Sequence, residues 1–148
     1  MTDSKKSNKV ELAYVKLGSF QEPTFTHSLG RLVGHKFKDP RITYKVMKIS
    51  ESINKVMQSS QKAFITTLKE YAELDDKGEF VPKDDKPGTY VIPEEKQESW
   101  KKVYSEFGET KESLNRKKLD LDDLTGFELS AMDMTNLEGI VDISGVEG

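Results

Sequence analysis

The chain contains no cysteine, and that absence removes disulfide staples, thiolate zinc sites and cysteine nucleophiles together. Long apolar runs are missing as well. No stretch approaches the ~20 residues that span a bilayer, so no membrane role is expected. Met1 to Asn8 is charged and lacks the apolar core of a signal peptide, so secretion by that route is not expected either. Histidine is scarce: only His27 and His35 occur, eight positions apart. On one continuous helix they would lie ~80° apart and over two turns distant, too far to share a metal ion, and each is expected at the surface. Phosphate-cradling loops are also absent, because Gly30 and Gly34 are followed by no Gly-Lys-Ser/Thr. No serine has a convincing histidine and acid context. Enzyme activity, a cofactor and a bound metal are therefore not expected.

Charge is plentiful. Hydrophobic residues make up 34% of the 148-residue chain and charged residues 33%, so the core must be small relative to the surface. The length suits one domain, expected over residues 9–144 between a mobile tail at 1–8 and a frayed end at 145–148. The net charge of −3 hides a division. Met1 to Lys62 carries 12 Lys and Arg against 5 Asp and Glu, whereas Ala63 to Gly148 carries 11 against 21. Such asymmetry points to a polyanion partner for the basic part or to pairing between the two parts.

Local patterns predict an α+β fold with a long central helix, two or three shorter helices and a small antiparallel sheet. Alternation over Lys9 to Leu17 predicts a strand. Pro23 and Thr24 open a short helix whose Phe25, Leu29, Leu32 and Val33 share a face. Asp39 before Pro40 is a strong helix start, and the long helix is expected from there to Leu74, about 52 Å at ~1.5 Å per residue. Phe80 and Val81 are expected to pair with Tyr90, Val91 and Ile92. A second helix is expected through Trp100, Val103, Tyr104 and Phe107, either broken or merely weakened by Gly108 before Leu114. Leu119 to Leu124 is expected to be the strand beside Lys9 to Leu17. Ser130 with Asp133 resembles a capping arrangement that begins a last helix through Leu137.

The opening strand, the Leu-x-x-Leu of Leu29 and Leu32, Thr43-Tyr44-Lys45 entering the long helix, Asp75-Asp76-Lys77-Gly78 leaving it, and Leu129-Ser130-Ala131 together resemble a family of small tailed-phage proteins of unknown function. The resemblance follows most of the chain in order, although Phe80 to Pro93 is longer here than in the family pattern. It implies a phage or prophage origin, a place in the virion or in the cytoplasm of an infected bacterial host, and a role in virion assembly or in that host. It carries no catalytic residues.

Two features of the long helix bear on function. Its apolar stripe, Ile42, Val46, Ile49, Ile53 and Val56, continued by Phe64, Leu68 and Tyr71, is either core or a protein interface, since a rod of that length outruns a small core. Beside it Arg41, Lys45, Lys48, Lys55 and Lys62 form a basic ridge that Arg31, Lys36 and Lys38 could extend. The ridge suits a solvated face, an acidic protein segment or a phosphate backbone. Paired carboxylates at Asp75/Asp76, Asp84/Asp85, Glu94/Glu95 and Asp122/Asp123 sit where turns and caps are predicted, which is their expected use. The leading expectation is a non-enzymatic phage-type structural or assembly protein working through protein contacts, as a homo-oligomer. The alternatives are a nucleic-acid-associated accessory protein and a regulator that binds and inhibits a host protein.

Overall fold

The computed structural model describes residues 12–143, so the two expected terminal tails and Lys9 to Glu11 of the first predicted strand lie outside the described residues. The fold is α+β, built along a long helix. Strand β1 (Leu12–Lys16) runs through a 3-10 turn, Leu17–Gln21, into α1 (Pro23–Gly34). The long helix α2 (Pro40–Leu68) follows. Extended and turn segments lead to α3 (Gln97–Glu109), then come β2 (Lys111–Lys117), β3 (Leu119–Asp120), α4 (Ala131–Asn136) and β4 (Val141–Asp142).

Helix α2 starts as its sequence dictates: Pro40 needs no hydrogen-bonded N–H there, and Asp39 Oδ1 accepts from the Arg41 backbone N–H at 2.9 Å. It stops earlier than the periodicity predicts. The helix ends at Leu68, 29 residues or about 43 Å long, not at Leu74. Leu68 O accepts from the N–H groups of Tyr71 (3.0 Å) and Ala72 (2.7 Å), which curls the chain back. Glu73 N–H then bonds Val91 O at 2.8 Å. The carbonyls of Ile65, Thr67 and Leu68 are satisfied in this turn, and Glu73 finds a partner in the extended segment that continued helix could not offer.

That segment also corrects the predicted hairpin. Phe80 and Val81 do not pair with Tyr90 to Ile92; Glu73 and Leu74 lie between them, with a Leu74–Phe80 bridge and a Val81 N–H to Glu73 O bond at 3.1 Å.

The sheet prediction needs a larger correction. β1 pairs antiparallel with β2, from Leu12 opposite Lys117 to Lys16 opposite Lys111, and not with Leu119 to Leu124. β3 instead pairs in parallel with β4. Leu121–Leu124 is a 3-10 turn closed by reciprocal Asp120 and Asp123 caps. Lys111–Lys117 has little strand signal of its own: only Leu114 in it is buried, so an edge strand of seven residues carries a single apolar residue. Two close backbone approaches lock β1 in place. Tyr14 N–H donates to Gly139 O at 2.9 Å, and a Cβ on Gly139 would lie 2.5 Å from Tyr14 O. Gly18 packs on Gly108 so tightly that its Cβ would sit 2.9 Å from Gly108 O.

Two hydrophobic clusters share α2. The larger gathers Ala13, Val15, Phe25, Leu32, Leu114, Leu119, Leu137, Ile140 and Val141 around Ile42, Val46, Ile49 and Ile53, with Val56 packed against it. The smaller gathers Leu68, Ala72 and Trp100 with Phe64, Tyr71, Phe80, Tyr90, Ile92 and Val103. Between them Ser60 is buried, its hydroxyl donating to Met57 O at 2.9 Å. Burial, and then the neighbouring Tyr104, raise the Tyr90 hydroxyl pKa above its ordinary value.

Candidate functional site

The apolar stripe is spent inside the chain. Ile42, Val46, Ile49, Ile53 and Leu68 are all buried, while Val56, Phe64 and Tyr71 are partly buried against the two clusters. The sequence left open whether the stripe was core or interface, and the packing places it in the core. The large apolar side chains exposed on α2 are Tyr44, Met47 and Ile65, on its outward face.

The most concentrated polar chemistry lies between α1 and α4. Phe25, Ser28 and Leu32 form the buried face of α1, so Ser28 is carried inward by the same spacing that buries its apolar neighbours, whereas Val33 is exposed. Ser28 Oγ donates to Asp133 Oδ1 at 2.7 Å and accepts from Asn136 Nδ2 at 3.2 Å. Asn136 Nδ2 also donates to Thr24 O at 3.1 Å. Asp133 Oδ2 accepts from the Ser130 backbone N–H at 3.1 Å and from Arg31 Nη1, while Ser130 Oγ accepts from Asp133 N–H at 3.0 Å. Arg31 Nη2 reaches Glu128 O at 2.9 Å, and its guanidinium lies 5.0 Å from the Phe127 ring centroid. Ser28 hydrogen bonding, then the Ser130 backbone N–H and Arg31, hold the Asp133 carboxyl far below its ordinary value against the opposing effect of burial. The Ser28–Asp133, Arg31–Asp133, Asn136–Ser28 and Asn136–Thr24 hydrogen bonds all cross between the two helices, so the arrangement clamps α1 to α4. Sequence reasoning recovered the Ser130–Asp133 cap but missed the clamp. The available signal was a serine on the apolar face of α1 with an arginine three residues later.

The histidines do not meet. His27 is exposed, and His35, expected at the surface, is half-buried with its ring 4.6 Å from Phe37 and 5.2 Å from Phe127. Its burial follows from the aromatic neighbours that the segment after α1 brings under it. The paired carboxylates that make contacts serve turns and caps: Asp75 Oδ1 accepts from the N–H groups of Lys77 (2.8 Å) and Glu79 (3.0 Å), and Asp123 closes the cap described above. Among the described residues no group of three or more His, Asp or Glu is placed to hold a metal ion. No helix among them is long and apolar enough to cross a membrane.

A groove of about 510 Å³ opens between β1, the 3-10 turn after it, the end of α3 and α4. Tyr14, Phe25, Tyr104 and Phe107 line it, and Glu22 and Glu138 stand among its polar lining. Tyr104 Oη donates to Gln21 Oε1, and Lys16 Nζ is 3.3 Å from Glu109 Oε1, so two of its polar pairs are already joined.

The basic candidates divide in two. Arg31 is taken by Asp133, Arg41 by Asp39, Lys45 by Asp123 at 3.3 Å and Lys48 by Glu51 at 3.4 Å, with Lys48 Nζ 5.5 Å from the Tyr44 ring centroid. Arg41 keeps the Asp39 carboxyl below its ordinary value through side-chain and backbone hydrogen bonds. Lys36 and Lys38 lie off the helix in the segment joining α1 to α2. Lys55 and Lys62 are exposed on α2 and form no ion pair among the described residues. The structure adds a residue that the sequence could not place: Arg116 of β2 bonds Ser52 Oγ at 3.1 Å, between Lys48 and Lys55 on the helix surface. Three ion pairs, Lys16–Glu109, Arg31–Asp133 and Lys45–Asp123, join the basic first part to the acidic remainder. The charge division is thus partly absorbed within the fold. No family model matches the chain, and neither the curated proteins nor the solved structures provide a match.

Proposed function

We propose that the chain is a non-enzymatic structural or assembly protein of phage type, acting through protein contacts in the virion or in the cytoplasm of the infected bacterium. One observation carries the reading: α2 spends its apolar stripe on two internal clusters and presents outward, over ~43 Å, a face of lysines and polar residues among which Tyr44, Met47 and Ile65 stand exposed. A helix packed through two clusters is suited to holding surface groups at fixed spacing. The polar clusters support the same reading, since Ser28, Asp133, Arg31 and Asn136 all join elements of the fold to one another. The phage assignment rests on the motif resemblance that runs from the opening strand to Ala131.

Detection of the protein in purified particles and in assembly intermediates from the infected host tests this proposal. Several copies per particle, or a stable place in an intermediate, are expected. Absence from both, with the protein abundant in the soluble lysate, would contradict it.

A nucleic-acid role is the second reading. Arg116 favours it by adding an arginine to the lysine ridge, because arginine engages phosphate through a planar fork that lysine lacks.

A further inference from the structure

Residues 70–98, beyond and around the end of α2, carry ten Asp and Glu against four Lys, and all ten carboxylates are exposed. This acidic lobe is fastened to the helix by the Trp100 cluster. The basic face lies elsewhere on the same helix: Lys48, Ser52, Lys55 and Lys62 fall within one narrow angular sector, and Arg116 of β2 joins them at Ser52. From Ser52 to Leu68 the rise along the helix is about 24 Å. The screening length at physiological ionic strength is only ~8 Å, so the centre of the basic face and the lobe scarcely feel each other within one molecule. Lys62 lies nearer, about 9 Å of rise from Leu68.

We infer that the basic face formed by Lys55, Lys62 and Arg116 binds the acidic lobe of a second copy of this chain, head to tail. The inference rests on the protein-contact reading above and names the partner. Charge complementarity carries it: the two surfaces have opposite sign, and neither Lys55 nor Lys62 forms an ion pair with the lobe among the described residues. Elsewhere the fold has already matched such charges internally, as Lys45 does with Asp123 and Lys16 with Glu109. The lobe and the lysine flank are what that internal pairing leaves over. Because the two surfaces differ, the contact is heterologous and can repeat from copy to copy. Within the lobe, the Leu74–Phe80 bridge holds closed the base of the exposed loop that carries Asp75, Asp76 and Glu79.

A charge-swap experiment tests the pairing. One variant carries Lys55→Glu, Lys62→Glu and Arg116→Glu; the other carries Glu73→Lys, Asp76→Lys and Glu79→Lys. All six side chains are exposed, and Asp75, which caps the loop, is left intact. At low salt each variant alone is expected to lose self-association by at least about tenfold in affinity, as the loss of three exposed charge pairs allows. An equimolar mixture is expected to recover it, because each supplies the surface that the other now complements. A parallel set with Gln or Asn at the same positions guards against loss of folding through repulsion: each member should show weakened association, and mixing should not restore it. Failure of the swapped pair to associate while both melt cooperatively would overturn the inference. Salt-sensitive binding of a short DNA duplex by the wild type without self-association, lost in the basic-face variant, would also overturn it and transfer the face to nucleic acid. Neither result bears on whether the protein is found in particles, so the broader proposal stands or falls separately.

Discussion

Ser28 Oγ donates a 2.7 Å hydrogen bond to Asp133 Oδ1 across 105 positions of sequence, and that contact ties the first helix to the last. Its carboxylate partner remains ionised because Ser28, Ser130 and Arg31 all stabilise the charged form. The folded-state pKa of Asp133 is therefore depressed below the unfolded value of ~3.9. A depressed carboxyl contributes its full stabilisation above the unfolded pKa and loses it as pH falls toward the folded one.

Stability measured by urea unfolding should accordingly hold near neutrality and decline as pH drops below ~4. Asp133→Asn should remove part of that decline and cost about 2–3 kcal/mol at pH 7, because Arg31 and Ser28 lose their ionic acceptor. An unchanged acid limb in the variant would show that Asp133 is not the group responsible.

The two sides of the long helix should respond differently to truncation. Ile53 is 2% exposed, so Ile53→Ala should cost about 3 kcal/mol through lost burial and a cavity. Met47 is 45% exposed, so Met47→Ala should stay within about 0.5 kcal/mol. Chemical denaturation of the pair, compared with wild type, separates a core stripe from a surface one. Equal costs would return the stripe to the role of an external interface.

Glycine positions give a contrast of opposite sign. Gly139→Ala places a methyl 2.5 Å from Tyr14 O and should destabilise by about 2 kcal/mol or more, since two backbones must separate. Gly30 lies within α1 with open space around it, and Gly30→Ala should stabilise by about 0.5–1 kcal/mol. Thermal melts of both variants check the prediction.

The legible parts of the fold were those whose signal is local. Asp39-Pro40 announced the start of α2, Ser130-Asp133 announced α4, and the spacing from Ile42 to Ile53 marked a buried face. What the sequence hid was set by distant partners. Lys111–Lys117 becomes a strand because β1 offers it a ladder, although its own composition argues for an exposed loop. The end of α2 moves from Leu74 to Leu68 because Glu73 bonds Val91. The candidate sites follow the same division. The lysine ridge could be read from helical spacing, but Arg116 reaches it only through sheet pairing, and Arg31 leaves the polyanion surface because Asp133 claims it.

Sedimentation velocity of nuclease-treated protein, from about 0.01 M to about 1 M salt, tests the central claim most directly. Over that range the screening length falls from about 30 Å to about 3 Å. Association through the lysine flank and the acidic lobe predicts species larger than a monomer at low salt that dissociate to monomer at high salt. A monomer throughout, or an oligomer indifferent to salt, would contradict it.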